Sequence, residues 1–490
     1  MKQNRKWLLT ALAAAMLLPS LAACGDSGET VQTTADTAET AEEPIETTEL
    51  EARAAISDEL PERDYGGANF ISLCGEGNVD DLIVEELDGE IVNDATYNMN
   101  LRVEERFNVK IGAHAVEGDV RNTTAYIEKC VQSGITDDYQ LINFHVVANS
   151  GNVVKGLYLN WYDIPYVDFD KPWWADSTVE DLTLNGKTFL AIGDYAMSSI
   201  SATYCMIYDK EKAVEYGIPS MYDVVTAGEW TMDYLTELSE TVYTDLNGNG
   251  VSDPTEDYYA LGTDYYSNMV TYTWAGNNPI YRKNAAGELE YVYYTEHLVD
   301  LYDKLYHLIW ETPGIVATEK THGCGLTYFQ DYRCLFMAGS IGNAKVLADF
   351  EHEYGIIPYP KYDTAQEEYI TMADGGHQAL SLPITTPDLE YVGILTEALC
   401  AETYKTVLPA FYDVCLKQRY SSSEEDAEMI DLCVASRMFD FGYVYDNWQG
   451  VAFLFQDQIV AKKNEIASYY QTKERAALKY YETVVEKFME

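Results

Sequence analysis

The sequence is short of positive charge. Its 490 residues include 32 Lys and Arg against 81 Asp and Glu, which gives a net charge of −49 at pH 7. Binding to phosphate backbones needs clustered Lys and Arg, so this balance argues against nucleic acid and anionic membrane surfaces as partners. Acidity on this scale otherwise indicates a well-solvated surface and says little about function.

Cysteine is also scarce, with nine residues in the chain and no C-x-x-C pair. A chain of this length can bury a sizeable core without a disulfide scaffold, and the missing pair removes the usual signs of a zinc or redox centre. The sequence also lacks a G-x-S-x-G elbow, an H-E-x-x-H helix and a P-loop. It therefore carries none of these hydrolase or nucleotide-binding signatures.

The apolar stretch near the amino terminus, Trp7 to Leu18, is too short to span a bilayer, which takes about 20 residues. It follows three basic residues and leads through Leu21-Ala22-Ala23 into Cys24. This arrangement resembles the signal peptide and lipobox of bacterial lipoproteins. The resemblance implies a signal peptide over residues 1–23 and a lipid anchor at Cys24, on the extracellular face of the cytoplasmic membrane. An ordinary secretory signal with an incidental cysteine is the alternative.

Residues 24–64 are rich in Thr, Glu, Ala, Asp and Ser and poor in large apolar side chains. Such a segment cannot bury enough apolar surface to offset its ordering entropy. We therefore expect a disordered acidic tether that its own charge extends. From Tyr65 onwards the composition is globular, and the length predicts two or three domains.

A twelve-residue segment, Asp245 to Glu256, matches the EF-hand calcium loop. Oxygen-bearing side chains stand at positions one, three, five and nine, glycine at six and glutamate at twelve. Ca²⁺ prefers six to eight oxygen ligands, and Val251 at position seven offers its backbone carbonyl. A turn without metal is the alternative. The pattern predicts a structural calcium site with the ligands Asp245, Asn247, Asn249, Val251, Asp253 and Glu256.

The segments around this loop carry a family resemblance. Upstream, a glycine-proline turn over 216–219 precedes Trp230, which opens an amphipathic stretch with Met232, Leu235 and Leu238 at helical spacing. Downstream, residues 258–262 form a short aromatic strand pattern that ends in glycine. Further matches lie at 190–195, 205–210, 336–339, 354–360, 374–376 and 379–383. In this order the segments resemble the extracellular solute-binding proteins of family 1, the sugar-type substrate-binding lipoproteins of ABC importers.

The resemblance implies a type II periplasmic-binding-protein fold, in which two α/β lobes joined by a hinge close on a solute in the interlobe cleft. By this analogy lobe one comprises residues 65–202 plus 374–420, and lobe two comprises residues 203–373 plus 421–490. The sequence is compatible with it, because apolar runs such as Asn69–Leu73 and Leu141–Val147 alternate with stretches of helical periodicity.

The candidate ligand-binding residues lie where strand ends would face the cleft. Sugar recognition combines aromatic faces, which stack on C–H patches, with polar groups that meet the hydroxyls. Core packing is the competing interpretation for the aromatic candidates, and His377 could instead bond a backbone carbonyl. The candidates are Glu76, Asn78, Asp80, Trp173, Trp174, Asp194, Tyr195, Trp274, Asn277, Asn278, Gly375, Gly376 and His377.

For function, the resemblance implies a non-enzymatic, lipid-anchored component of an ABC importer. It would capture a carbohydrate, in our reading an oligosaccharide, and present it to permease subunits. We expect a monomer with structural calcium and no organic cofactor. A surface glycan-degrading enzyme is the alternative, because 81 acidic residues always allow a carboxylate pair to be imagined. A non-transporting adhesin or sensory protein with the same clamp is the second alternative.

Overall fold

The computed structural model describes residues 48–176, 180–318, 325–347, 349–416 and 424–490. The predicted signal peptide, Cys24 and the tether up to residue 47 lie outside the described residues. Within them, no helix combines the length and the apolar character that crossing a membrane requires.

The first sheet consists of β1 (Ala68–Gly75), β2 (Val109–Val116), β3 (Leu141–His145) and β11 (Gln378–Ser381). Their order is β11-β3-β1-β2, with β1 parallel to both neighbours and β11 antiparallel to β3. The prediction of strands at 69–73 and from 141 is confirmed, although helix begins at Val146. We call this sheet with its helices the first lobe.

Both faces of the first sheet are covered by helices. Successive strand residues point to opposite faces. Phe70 and Leu380 belong to an apolar cluster with α2 (Ile91–Phe107) and α12 (Leu389–Glu402). Leu73 belongs to the other cluster, with α3 (Val120–Ser133) and α4 (Val146–Val154).

The second sheet consists of β4 (Tyr204–Asp209), β5 (Tyr259–Asp264), β8 (Ile315–Thr318), β9 (Cys334–Ser340) and β10 (Tyr354–Ile357). Their order is β10-β4-β9-β5-β8, with β5 parallel to β8 and β9, and β4 antiparallel to β9 and β10. We call this sheet with its helices the second lobe. A separate hairpin is formed by β6 (Tyr281–Lys283) and β7 (Leu289–Tyr291).

The remaining α-helices of the described ranges lie before β1, around the second sheet and in the carboxyl-terminal region. They are α1 (Glu49–Ala54), α5 (Ser198–Ser201), α6 (Lys210–Glu215), α7 (Met221–Thr226), α8 (Met232–Val242), α9 (Ser267–Ala275), α10 (Glu296–Tyr306), α11 (Leu326–Gln330), α13 (Leu408–Leu416), α14 (Glu424–Ala435), α15 (Phe441–Val444), α16 (Leu454–Val460) and α17 (Ile466–Met489).

Helix α8 confirms the amphipathic stretch that the sequence predicts after Trp230. The hydroxyl of Thr231 caps its first turn by accepting from the backbone N–H of Tyr234 at 3.2 Å. Trp230 itself is buried, stacks on Phe336 at 5.4 Å and donates its indole N–H to the carbonyl of Pro358. It is therefore a packing residue.

Three neighbouring chain segments, 202–204, 371–374 and 436–438, connect the two sheets. The backbone of Asp374 donates to Ala202, and that of Tyr204 donates to Met372. The third segment pairs with the second through the bonds between Thr371 and residues 436 and 438. We call these segments the hinge. The predicted lobe boundaries at 202/203 and 373/374 fall within it, and the boundary at 420/421 lies outside the described residues.

The structure corrects the predicted extent of the tether, because the folded unit begins at Glu49. Ile56 and Leu60 pack against the apolar cluster of the first lobe. Arg106 donates to Asp58 at 3.0 Å, and Lys171 lies 2.8 Å from Glu59. A few spaced apolar and charged side chains therefore attach residues 49–64 to the first lobe. The average composition of the segment does not indicate these contacts.

The structure also corrects the role predicted for Trp173 and Trp174, which are buried in the first lobe. Their indole N–H groups donate to the two carboxyl oxygens of Glu397, at 2.7 and 2.9 Å, and the backbone N–H of Asp168 adds a third bond at 3.3 Å. Both rings are thereby held in the core, and neither presents a face to a solute.

Replacing Glu397 with Gln should change how stability depends on pH. Burial raises the pKa of Glu397 from 4.5 to about 7, against the effect of its N–H donors. A raised folded-state pKa gives stability that is complete below about pH 4.5 and lost as pH rises through 7. Gln does not titrate, so the stability of the parent relative to the variant should fall as pH rises from about 4.5 to about 7.

Urea unfolding of both proteins across this range measures the difference. Below about pH 4.5 the variant should be less stable than the parent, by about 1–3 kcal/mol, because the amide N–H₂ of Gln cannot accept from an indole N–H. A constant difference between the two proteins at all pH values would contradict the shifted pKa.

Candidate functional site

A cavity of about 170 Å³ lies where the two lobes and the hinge meet. Its walls come from the end of β3, from the segment that follows β5, from the hinge and from the carboxyl-terminal region. The carboxyl ends of parallel strands are where open α/β sheets bind ligands. The lining residues are His145, Val147, Tyr266, Ser267, Val270, Asp374, Gly375, Gly376, Tyr443, Trp448, Phe453 and Gln456.

The hinge supplies the carboxylate of the cavity. Asp374 accepts from the Tyr204 hydroxyl at 2.5 Å and from the backbone N–H of Gly376 at 2.8 Å. The same hydroxyl lies 3.1 Å from the carbonyl oxygen of Ser267, at the start of α9. Burial raises the pKa of Tyr204 well above its usual value, so this hydroxyl stays protonated as a donor. The contact links the hinge directly to the second lobe.

The glycines of the hinge bring the backbone to the cavity wall. A Cβ on Gly375 would lie 2.5 Å from the hydroxyl oxygen of Tyr443 and 2.8 Å from Val147. No side chain fits there without displacing one of these neighbours. Gly375 and Gly376 are the predicted ligand-binding residues that line the cavity.

Two histidines lie near the hinge in different roles. His145 lines the cavity, where its ring meets Trp448 edge to face at 5.7 Å, and its Nδ1 accepts from the N–H of Ala148. His377 is buried, and its Nδ1 bonds the carbonyl of Asp374 at 2.6 Å. Burial lowers the pKa of His377 to about 4, so its ring is neutral. For His377 the structure therefore favours the backbone-bonding interpretation.

Trp448 is one of the ten lining residues that are not among the predicted ligand contacts, which supply only Gly375 and Gly376. Its side chain is 51% exposed, and its φ of 57° and that of Asn447, 44°, lie in the left-handed region. Bulky residues rarely adopt this conformation, and such strain concentrates at functional sites. An exposed indole at the cavity mouth is suited to stack on a ligand.

The buried carboxyl group of Asp446 stabilises the turn that carries Trp448. One oxygen of this carboxyl accepts from the N–H of Ala452 at 3.0 Å and from the Tyr481 hydroxyl of α17 at 2.9 Å. Burial raises the pKa of Asp446 to about 6. The core of the carboxyl-terminal region thus imposes the backbone conformation of the exposed residue.

The loop after β1 lies away from this cavity. Glu76 and Asp80 are exposed, and Asn78 is half-buried and reaches Asp81. None of the three predicted residues is among those that line the cavity. The loop follows a strand end, as expected, but its side chains do not meet those of the hinge there.

Asp194 and Tyr195 are a further correction, because both lie inside the first lobe. The Tyr195 hydroxyl is 3.3 Å from the Ser72 hydroxyl, and the backbone N–H of Asp194 donates to Trp173. Burial raises the pKa of Asp194 to about 7. The segment pairs with β11 through Ala191 and supports the sheet from within.

Trp274 and its neighbours lie behind the cavity wall. Trp274 is buried and donates its indole N–H to Asp440 at 2.9 Å, while its ring meets Tyr443 at 4.9 Å. Asn278 is buried and donates to the carbonyl of Tyr293, and Asn277 is exposed and accepts from Arg282. The structure therefore corrects their assignment as direct ligand contacts.

The segment predicted to bind calcium is curled around its first residue. Asp245 accepts from the N–H groups of Gly248 and Gly250, both at 2.7 Å, and Gly250 has a φ of +72°. Asn247 donates to Glu256, so positions three and twelve meet. Across the described ranges, no group of three or more His, Cys, Asp or Glu side chains forms a metal-binding cluster. The loop instead presents amide and backbone oxygens beside its carboxylates.

No family model and no curated protein matches the chain. Solved structures do match. An ABC substrate-binding protein from Listeria monocytogenes in complex with cycloalternan is 9% identical, with 85% of this chain and 99% of the other covered and a TM-score of 0.54. The lacto-N-biose complex of a binding protein of an ABC transporter from Bifidobacterium longum is 10% identical, with coverage of 86% and 98% and a TM-score of 0.55.

A third structure, from Mycobacterium tuberculosis in complex with glycerophosphocholine, is 12% identical, with coverage of 85% and 99% and a TM-score of 0.55. At such low identity the similarity establishes the fold and not the ligand. The predicted architecture of two α/β lobes is confirmed, and the chain has the periplasmic-binding-protein fold of ABC-transporter solute-binding proteins.

Proposed function

We propose that this protein is the solute-binding component of an ABC importer and captures a carbohydrate between its two lobes. The observation that carries the proposal is the position of the cavity, whose walls come from both lobes and the hinge. A solute there contacts both lobes at once and so stabilises the arrangement in which they are close. The permease subunits would then recognise the closed form of a monomeric protein.

The chemistry of the cavity wall favours a sugar. Trp448 and Phe453 stack at 6.4 Å and offer aromatic surface, and Asp374 and Gln456 offer polar groups. This combination suits a ligand with apolar C–H faces and many hydroxyls. Two of the solved structures of this fold hold saccharides, while a third holds glycerophosphocholine, so the wall chemistry and not the fold supports the choice.

The same wall disfavours the glycan-degrading enzyme. Glycoside hydrolysis ordinarily requires two carboxyl groups on either side of the scissile bond. Among the described residues that line the cavity, Asp374 is the one carboxylic acid, and it is engaged by Tyr204. This supports binding without turnover.

Replacing Trp448 with Ala should weaken sugar binding about tenfold, because the stacking surface is lost. Thermal unfolding against a panel of mono- and oligosaccharides identifies a ligand, since a ligand that binds the native state raises the melting temperature. Titration calorimetry then measures the affinity of both proteins. Tyr162→Ala, which removes an exposed aromatic ring outside the cavity lining, is the control.

Equal affinity in the Trp448 variant and the parent would show that the solute does not bind at this cavity. Release of sugar products from the same mixtures would favour the enzyme. A panel in which no sugar stabilises the protein would remove carbohydrate as the solute.

We also propose that the loop from Asp245 to Glu256 binds one structural calcium ion. The support is the fit of the loop, in which Gly250 takes the left-handed turn and Glu256 lies beside Asn247. The ion would be held by carboxylate and amide oxygens and the Val251 carbonyl, and would rigidify the loop.

Equilibrium dialysis should show uptake of one Ca²⁺ per chain at millimolar concentration or below. Glu256→Gln should lower the affinity at least about tenfold, because the bidentate ligand is lost. Asp303→Asn, on the exposed surface of α10, removes the same charge elsewhere and should leave uptake unchanged. No uptake by the parent protein at millimolar calcium would contradict the site.

We finally propose that Cys24 carries a lipid anchor that keeps the protein beside its transporter, at the extracellular face of the cytoplasmic membrane. An anchored tether raises the effective concentration of binding protein near its permease. The proposal rests on the lipobox pattern of the sequence.

Cys24→Ser should release the protein from the membrane fraction into the medium, because the residue that takes the lipid is lost. Immunoblots of both fractions measure the distribution. Ser27→Ala, three residues further along the chain, should remain membrane-bound. Retention of the Cys24 variant would contradict the anchor.

A further inference from the structure

A second cavity, of about 480 Å³, lies beside the first. It is bounded by α3, by α4 and by the turn at 447–449, and Trp448 lines both cavities. The exposed indole of Trp448 therefore lies between the two cavities. A ligand stacked on it can extend into either.

The two cavities differ in size. Small-molecule sites in proteins usually measure about 300–1,000 Å³. The cavity at the hinge, at about 170 Å³, is below this range, and the second cavity is within it. A solute of several units would fill both.

The charge of the second cavity differs from that of the rest of the chain. Its charged lining residues are Arg121, Lys155 and Glu128, two cations and one anion, in a protein with 81 acidic and 32 basic residues. Lys155 lies 2.7 Å from Glu128 and is largely neutralised by it. The Arg121 guanidinium forms no hydrogen bond or ion pair with any residue that the structure describes. The backbone N–H of Arg121 donates to the side chain of Asp119, which caps α3.

We propose that the solute is an acidic oligosaccharide whose anionic substituent, a carboxylate or a sulfate, binds Arg121 in the second cavity. One sugar unit would occupy the hinge cavity, a unit at the junction would stack on Trp448, and the charged unit would lie beside α3. A guanidinium binds such groups through two parallel N–H bonds. This inference rests on the proposed function and specifies its substrate class.

The negative charge of the whole protein does not prevent this binding. Exposed charges are screened beyond about 8 Å at physiological ionic strength, so the contact is governed by the charges of the second cavity. Glu128 neutralises Lys155 on this wall, so the Arg121 guanidinium supplies the positive charge. Selectivity for the anionic group should therefore reside in the second cavity and weaken as salt is raised.

The test uses pairs of oligosaccharides of the same length and linkage, one neutral and one carrying a uronic acid or a sulfate ester. Affinities are measured by calorimetry on the full mature chain. The acidic member should bind at least about tenfold tighter. Arg121→Gln should remove most of that preference, because the acidic member loses its ion pair and the neutral member has none to lose. Arg475→Gln, an exposed arginine on α17, is the control and should retain it.

The outcomes separate this inference from the proposed function. Binding of neutral sugars without preference for the acidic member overturns the inference alone, as does a preference that survives Arg121→Gln. Failure of every sugar to bind overturns both. Uronates and sulfate esters in separate pairs identify which anion is recognised. Thermal unfolding without ligand should be the same for both arginine variants, because both side chains are exposed.

Discussion

The structure depends on the backbone pairing of three hinge segments. The three segments lie side by side. Residues 202–204 lead into the second lobe, residues 371–374 lead into β11 of the first lobe, and residues 436–438 lead into the carboxyl-terminal region. Their hydrogen bonds join the segments to one another, outside the strand pairing of either sheet. Asp374, Gly375 and Gly376 follow directly on this pairing, which places the cavity beside the hinge.

The aromatic residues divide into two kinds by the partners of their polar atoms. The indole N–H groups of Trp173, Trp174 and Trp274 donate to buried carboxylates, which fixes the rings in the core. Trp448 instead remains at the surface in a strained backbone conformation that Asp446 maintains. The frame of buried aromatic residues thus supports the exposed indole of Trp448.

Much of the fold was predictable, because β1, β3, β5 and α8 follow local periodicity in the sequence. The site was not, because the decisive contacts join distant residues. Glu397 follows Trp173 by 224 positions, and the spacing of acidic residues gives no sign of their pairing. Trp448 lies in a tyrosine-rich region with no recognised motif. Its one local signal is the turn-forming Asp446-Asn447 pair directly before an aromatic residue.

The antiparallel pairing of β11 with β3 joins Gln378 to His145 and Ser381 to Ile142. A growing chain therefore cannot complete its first sheet until more than three-quarters of it has been synthesised. Tyr481, which holds the turn of Trp448 through Asp446, emerges later still. Non-local pairing of this kind slows folding, because the entropic cost of closing a long loop precedes the stabilising contacts that the closed loop makes. Residues that support the candidate site are thus among the last to be synthesised, and a chain that ends before α17 lacks the hydroxyl that holds the turn of Trp448.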